Sequence, residues 1–119
     1  MSLEGLRVLL VEDEAIIAMT AEDMLEELGC TLAATASSLD EAFACVEQHS
    51  FDVALLDINL NGQQSLPVAA LLKEKGRRFV FTTGYGTAGC GADHADVPLV
   101  TKPYQLADLE TAIRQALAA

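Results

Sequence analysis

The chain has 119 residues, 51% of them apolar, and a formal net charge of −11. That length suits one domain with a single hydrophobic core and leaves no room for a second. A surface this acidic repels phosphate backbones and anionic lipid, which argues against direct binding to nucleic acid or to a membrane.

The charge is unevenly placed. No Lys or Arg occurs between Val8 and Leu72, a stretch that carries twelve carboxylates. Apart from Arg7, the cations come late, as Lys73, Lys75, Arg77 and Arg78 in one group, then Lys102 and Arg114. Cys30, Cys45 and Cys90 form neither a C-x-x-C pair nor a zinc spacing, so they read as reduced packing residues of a cytoplasmic protein. Signal-peptide patterning and apolar runs of spanning length are both lacking. Met1-Ser2-Leu3 reads as a cloning leader, which places the domain at residues 4–119.

Leu6–Val11 is apolar but for Arg7, as expected of a strand buried on both faces. A helix should follow, with Ile16, Met19, Met24, Leu25 and Leu28 near helical spacing and Gly29 as its terminator. Thr31–Ala36 is strand-like, and Ser38 is a good N-cap for a helix carrying Ala42, Phe43 and Val46. Val53–Leu56 is again wholly apolar, and Asn59–Gln64 has turn chemistry. Ser65 and Pro67 read as cap and first position of a helix through Lys75, closed by Gly76. Phe79–Thr83 is a fourth strand, Leu99–Thr101 a weak fifth, and Leu106, Leu109, Ile113 and Leu117 mark a last helix. Strands that are apolar on both faces and alternate with helices imply a covered parallel sheet. The predicted fold is therefore α/β: a flavodoxin-like, doubly wound, five-stranded parallel sheet of order 2-1-3-4-5, with a weak or shortened fourth helix.

In such a sheet, ligands bind beyond the carboxyl ends of the strands, where the strand order reverses. The first strand there runs into Glu12 and Asp13, the third into Asp57, the fourth into Thr83 and the fifth into Lys102. Three carboxylates converging on one point raise one another's pKa unless a cation neutralises them, and hard oxygen ligands suit Mg²⁺. Lys102 adds a fixed positive charge and Thr83 a hydroxyl. Together these groups suit phosphoryl transfer to a carboxylate. Singly, each has an ordinary explanation: helix-start acids, an Asx-turn aspartate, a strand-forming threonine and a solvated loop lysine.

Val-Glu-Asp-Glu at 11–14, Leu-Leu-Asp-Ile-Asn at 55–59, Thr-Gly at 83–84 and Lys-Pro at 102–103 resemble the signature of the response-regulator receiver domain. The resemblance spans essentially the whole chain. It implies two-component signalling, in which a histidine kinase passes a phosphoryl group to Asp57 and the domain then acts on a downstream protein. It implies a phosphoacceptor rather than an enzyme in the usual sense, with Mg²⁺-dependent self-phosphorylation and autodephosphorylation. Asp13 and Asp57 would ligate Mg²⁺, Glu12 would act through a metal-bound water, and Asn59 would contribute its backbone carbonyl. Lys102 would pair with the phosphoryl group through a Lys102–Pro103 bond that is cis in the family, and Thr83 would swing toward the phosphate. Phe79-Val80-Phe81-Thr82-Thr83-Gly84-Tyr85 further resembles a subgroup marked by a Phe-Ala-Thr-Gly-Tyr run, often stand-alone alphaproteobacterial receivers, with Thr82 where that run has Ala.

Other departures concern output. Leu99 stands where the family has an aromatic switch residue, Asn61 where it commonly has Pro, and Gly84–Asp96 contains four glycines where it has a full helix. Tyr85 is then the ring nearest Thr83 in sequence and the candidate switch partner. The first helix, with Glu22, Asp23, Glu26 and Glu27, would face a basic kinase surface.

Three other readings compete. Gly84-Tyr85-Gly86-Thr87-Ala88-Gly89 fits a dinucleotide-binding motif, but such a motif belongs after the first strand and should open a solid helix. A binding-only pseudo-receiver would lack one of the acids or the lysine, and all are present. An aspartyl hydrolase would have Asp at position 59, which is Asn. His49 and His94 have no partner at ligand spacing and read as surface residues.

Overall fold

The structure, a computed structural model, describes residues 3–84 and 96–118. In chain order the elements are β1 (Arg7–Val11), α1 (Ala15–Glu27), β2 (Thr31–Ala36), α2 (Leu39–Gln48), β3 (Val53–Asp57), β4 (Asn59–Leu60), β5 (Gln63–Gln64), α3 (Leu66–Glu74), β6 (Phe79–Thr83), β7 (Leu99–Thr101) and α4 (Leu106–Ala118). Five strands form one sheet of order β2-β1-β3-β6-β7, every pair parallel. This is the flavodoxin-like order foreseen, with the short β4-β5 hairpin standing outside the sheet. The expected weak fourth helix falls on residues 85–95, outside the described residues, as do Tyr85, Cys90, His94 and most of the Gly84–Gly89 motif. That motif follows β6, the fourth strand of the sheet, rather than the first.

The apolar strands are buried because each face has its own helical layer. Val8, Leu10, Val53, Leu55, Val80 and Val100 pack with Ala21 and Leu25 of α1 and with Leu109 and Ile113 of α4. On the other face Leu9, Val11, Ala54, Leu56 and Phe81 pack with Ala42 and Val46 of α2 and with Val68 and Leu72 of α3. Leu3, set aside with the leader on sequence, joins the first cluster.

Two local expectations are corrected. Ile16 and Met19 do not belong to the core stripe of α1; they are 79% and 64% exposed. At about 100° per residue, Ile17, Ala21, Met24, Leu25 and Leu28 share one stripe, and Ile16 and Met19 fall outside it. Ser65 does not cap α3 with its side chain, and Pro67 sits one residue further into the helix than expected. The Ser65 hydroxyl is directed elsewhere, donating to the Asp57 carbonyl at 2.6 Å. Ser38 does cap α2, accepting from the Glu41 amide at 3.2 Å.

Candidate functional site

Strand register brings the site together. Asp57 at the end of β3 lies opposite Thr82 of β6, and Thr83 lies opposite Thr101 of β7. Glu12 therefore leaves β1, Asp57 and Thr83 end their strands, and Lys102 leaves β7, all at one rim. The Lys102 amide donates to the Thr83 carbonyl at 2.8 Å, and the Lys102–Pro103 bond is cis. A cleft of about 410 Å³ opens there, lined by Asp13, Asp57, Asn59, Thr83, Lys102 and Pro103 among others.

Glu12, Asp13 and Asp57 each place a carboxylate oxygen within 4.8 Å of the others. Asp57 is 2% exposed and Glu12 4%, while Asp13 is half-buried. One cation serves the two buried acids: Lys102 Nζ lies 3.0 Å from Asp57 Oδ2 and 3.2 Å from Glu12 Oε1. The remaining oxygens find backbone donors, with the Asn59 amide 3.2 Å from Asp57 Oδ1 and the Glu14 amide 3.1 Å from Glu12 Oε2. Burial pushes the Asp57 carboxyl up to about 7; Lys102 opposes the rise and Glu12 adds to it. Burial pulls the Lys102 ammonium down, but Asp57 and then Glu12 outweigh it and hold the group above its ordinary value.

Three carboxylates against one ammonium leave a net negative, oxygen-only donor set of the kind that takes a small divalent cation. Asp13, Asp57, Glu12, Thr83 and Lys102 are thus brought to one place. Asn59 lines the same cleft, and its amide already serves Asp57.

Sequence reasoning passed over four contributors. Ser65 is fully buried and anchors the Asp57 carbonyl. Asn61 donates its amide to Asp13 Oδ2 at 3.0 Å. Tyr104, 5% exposed, points its hydroxyl at Glu12 Oε1. Thr82, 1% exposed, hydrogen-bonds that same phenol. An aromatic directly after the Lys-Pro pair was the available signal for Tyr104; the other three depend on contacts that only folding creates.

The chain is similar to proteins of one kind throughout. It is 37% identical to SdrG from Sphingomonas melonis Fr1, whose solution structure superposes with a TM-score of 0.85 over 98% of this chain and 99% of that one. The receiver (REC) domain of the PhyR response regulator from Erythrobacter litoralis is 30% identical, with a TM-score of 0.84 over 98% and 92% of the two chains. The transcriptional regulatory protein PdtaR of Mycobacterium tuberculosis is 28% identical over 115 residues, 93% of this chain. The chain spans only 56% of the length of that relative. Residues 8–114 match the model of the response regulator receiver domain, so the chain belongs to that family, the signalling domains of two-component systems.

Proposed function

We propose that this receiver accepts a phosphoryl group from a histidine kinase on Asp57, with Mg²⁺ held by Asp13, Asp57 and the Asn59 backbone carbonyl, and Glu12 reaching it through water. The carrying observation is the Asp57 carboxylate, 2% exposed, with Lys102 at 3.0 Å and two further acids within 4.8 Å. Burial pushes the Asp57 carboxyl up to about 7 even with the Lys102 ammonium beside it, and the charge of a bound divalent cation would further favour the carboxylate form that acts as nucleophile. When bound, Mg²⁺ would neutralise phosphoryl oxygens and part of the acid cluster.

The chain's own groups do the rest. A carboxylate oxygen of Asp57 attacks phosphorus as the bond to the kinase imidazole breaks. Lys102 already touches that carboxylate and can follow the charge onto the phosphoryl oxygens. The Asn59 amide and the Ser65 hydroxyl fix Asp57 from its other atoms, so attack needs no side-chain search. Thr83, ending β6 beside the cleft, supplies the hydroxyl that turns toward the phosphate and carries the switch. The same chemistry with water gives slow autodephosphorylation, so the domain works as a timed signal rather than a turnover enzyme.

The outer face of α1 carries Ile16 and Met19 with Asp23, Glu26 and Glu27 exposed beside them, next to the cleft that Ile17 lines. An apolar pair rimmed by acids suits docking of a basic, partly apolar kinase helix. We further infer a cytoplasmic setting; among the described residues, no helix is long and apolar enough to cross a membrane. The Phe79–Tyr85 run supports placement in the Phe-Ala-Thr-Gly-Tyr subgroup. Acetyl phosphate with Mg²⁺ should add one phosphoryl mass to the parent and none to Asp57→Asn; full addition to the variant would overturn the assignment.

A further inference from the structure

Tyr104 packs its ring among Val100, Leu109 and Ile113, a setting that phenylalanine would fill as well. Its hydroxyl needs a separate reason, because a buried phenol left unpaired is destabilising. That oxygen lies 3.4 Å from Glu12 Oε1 and also hydrogen-bonds the side chain of Thr82. The directions follow from chemistry. An ionised Glu12 only accepts, so the phenol donates to it, and the phenolic oxygen is left to accept from the Thr82 hydroxyl.

Glu12 Oε1 is shared. It accepts from Lys102 Nζ at 3.2 Å, and the same ammonium reaches Asp57 Oδ2 at 3.0 Å. The contacts therefore run from Thr82 through Tyr104, Glu12 and Lys102 to Asp57, and Asp57 is the residue opposite Thr82 across β3 and β6. The path is an open chain of buried and half-buried polar groups carried at, or just beyond, the ends of β1, β3, β6 and β7. It also gives a partner to the hydroxyl of Thr82, which stands where the resembling subgroup has Ala.

We propose that Tyr104 is a positioning residue of the phosphoryl-transfer site, whose hydroxyl fixes the Glu12 carboxylate and so sets how Lys102 is divided between Glu12 and Asp57. This rests on the reading of the acid cluster as a Mg²⁺ site. With the phenol gone, Glu12 Oε1 keeps Lys102 as its one strong partner. Only the Glu14 amide on Oε2 then opposes the pull of the ammonium on the carboxylate, and a cation held partly through Glu12 loses a fixed contact.

Mg²⁺ titration by calorimetry on the parent chain, Tyr104→Phe, Thr82→Val and the double variant tests this, with melting temperatures measured without Mg²⁺. Tyr104→Phe should raise the Mg²⁺ dissociation constant about fivefold and Thr82→Val about twofold, sizes typical of losing one bond to a charged group and one neutral bond behind it. The double variant should match Tyr104→Phe alone, because Thr82 acts only through the phenol. Dissociation constants equal to the parent's alongside a lowered melting temperature would mean a packing role only and would overturn the proposal. Additive effects of the two substitutions would overturn it as well. A parent that binds no Mg²⁺ would instead overturn the metal reading, and this inference with it.

Discussion

The Asn61 amide donates to Asp13 Oδ2 across 3.0 Å, joining residues 48 apart in the chain. The donor sits at the tip of the β4-β5 hairpin, where Asn61 (φ 53°) and Gly62 (φ 81°) both take the left-handed backbone that a two-residue hairpin turn requires. Its side-chain amide reaches the Ser37 carbonyl at 3.1 Å, and Ser37 is itself tied to Glu41 of α2. One turn residue thus clamps three loops around the cleft. Asn61→Gly should keep the backbone and the bond to Asp13, whereas Asn61→Val should lose about 1–2 kcal/mol to left-handed strain. Urea unfolding of both variants checks this; equal stabilities would show that the hairpin adapts.

Stability should depend on the charge of Asp57. Its folded carboxyl titrates at about 7 against an ordinary value of 3.8, so between these values the folded chain holds the proton more tightly than the unfolded chain. The Asp57 contribution therefore falls as pH rises from about 4 to about 7. Without Mg²⁺, the melting-temperature advantage of Asp57→Asn over the parent should grow across that window and level off above it. A difference that stays constant with pH would place the Asp57 titration outside the window.

Mg²⁺ should raise the parent's melting temperature by mass action, an effect of about 2.7 kcal/mol at a hundredfold excess over the dissociation constant. Asp13→Asn removes one of the three clustered carboxylates and should lose most of that gain. Thermal melts with and without the ion decide it, and equal shifts in both proteins would exclude Asp13 as a ligand.

The α1 surface should matter to a kinase and not to a small donor. Replacing Ile16 and Met19 together by Ser should slow transfer from the cognate phosphorylated kinase at least about fivefold, since anchors of this kind dominate docking energetics. Phosphorylation by acetyl phosphate should be unchanged, because neither side chain lines the cleft. Transfer from the kinase should also slow with ionic strength, reflecting Asp23, Glu26 and Glu27. A salt-independent rate would leave those acids as a solvated helix face.

Much of this was local and so legible in the chain. Val8–Val11, Val53–Leu56 and Phe79–Phe81 are continuous apolar runs, which only a strand covered on both faces can bury; their alternation with helical patterns dictates a parallel sheet. A parallel sheet in turn carries Glu12, Asp57, Thr83 and Lys102 to one rim, because all its strands end on the same side. What tertiary structure decided was burial and direction. Ser65 looked like a helix cap, yet its hydroxyl serves the Asp57 carbonyl, and Tyr104, unremarked in the sequence, fills the core with its ring and turns its hydroxyl to Glu12. Asn61 looked like turn chemistry, yet its amide serves an acid 48 residues away. Spacing along a chain encodes which face a side chain takes. The partner of a hydrogen bond and the desolvation that lifts Asp57 depend on neighbours from other strands, and those exist only once the register of β1, β3, β6 and β7 is set.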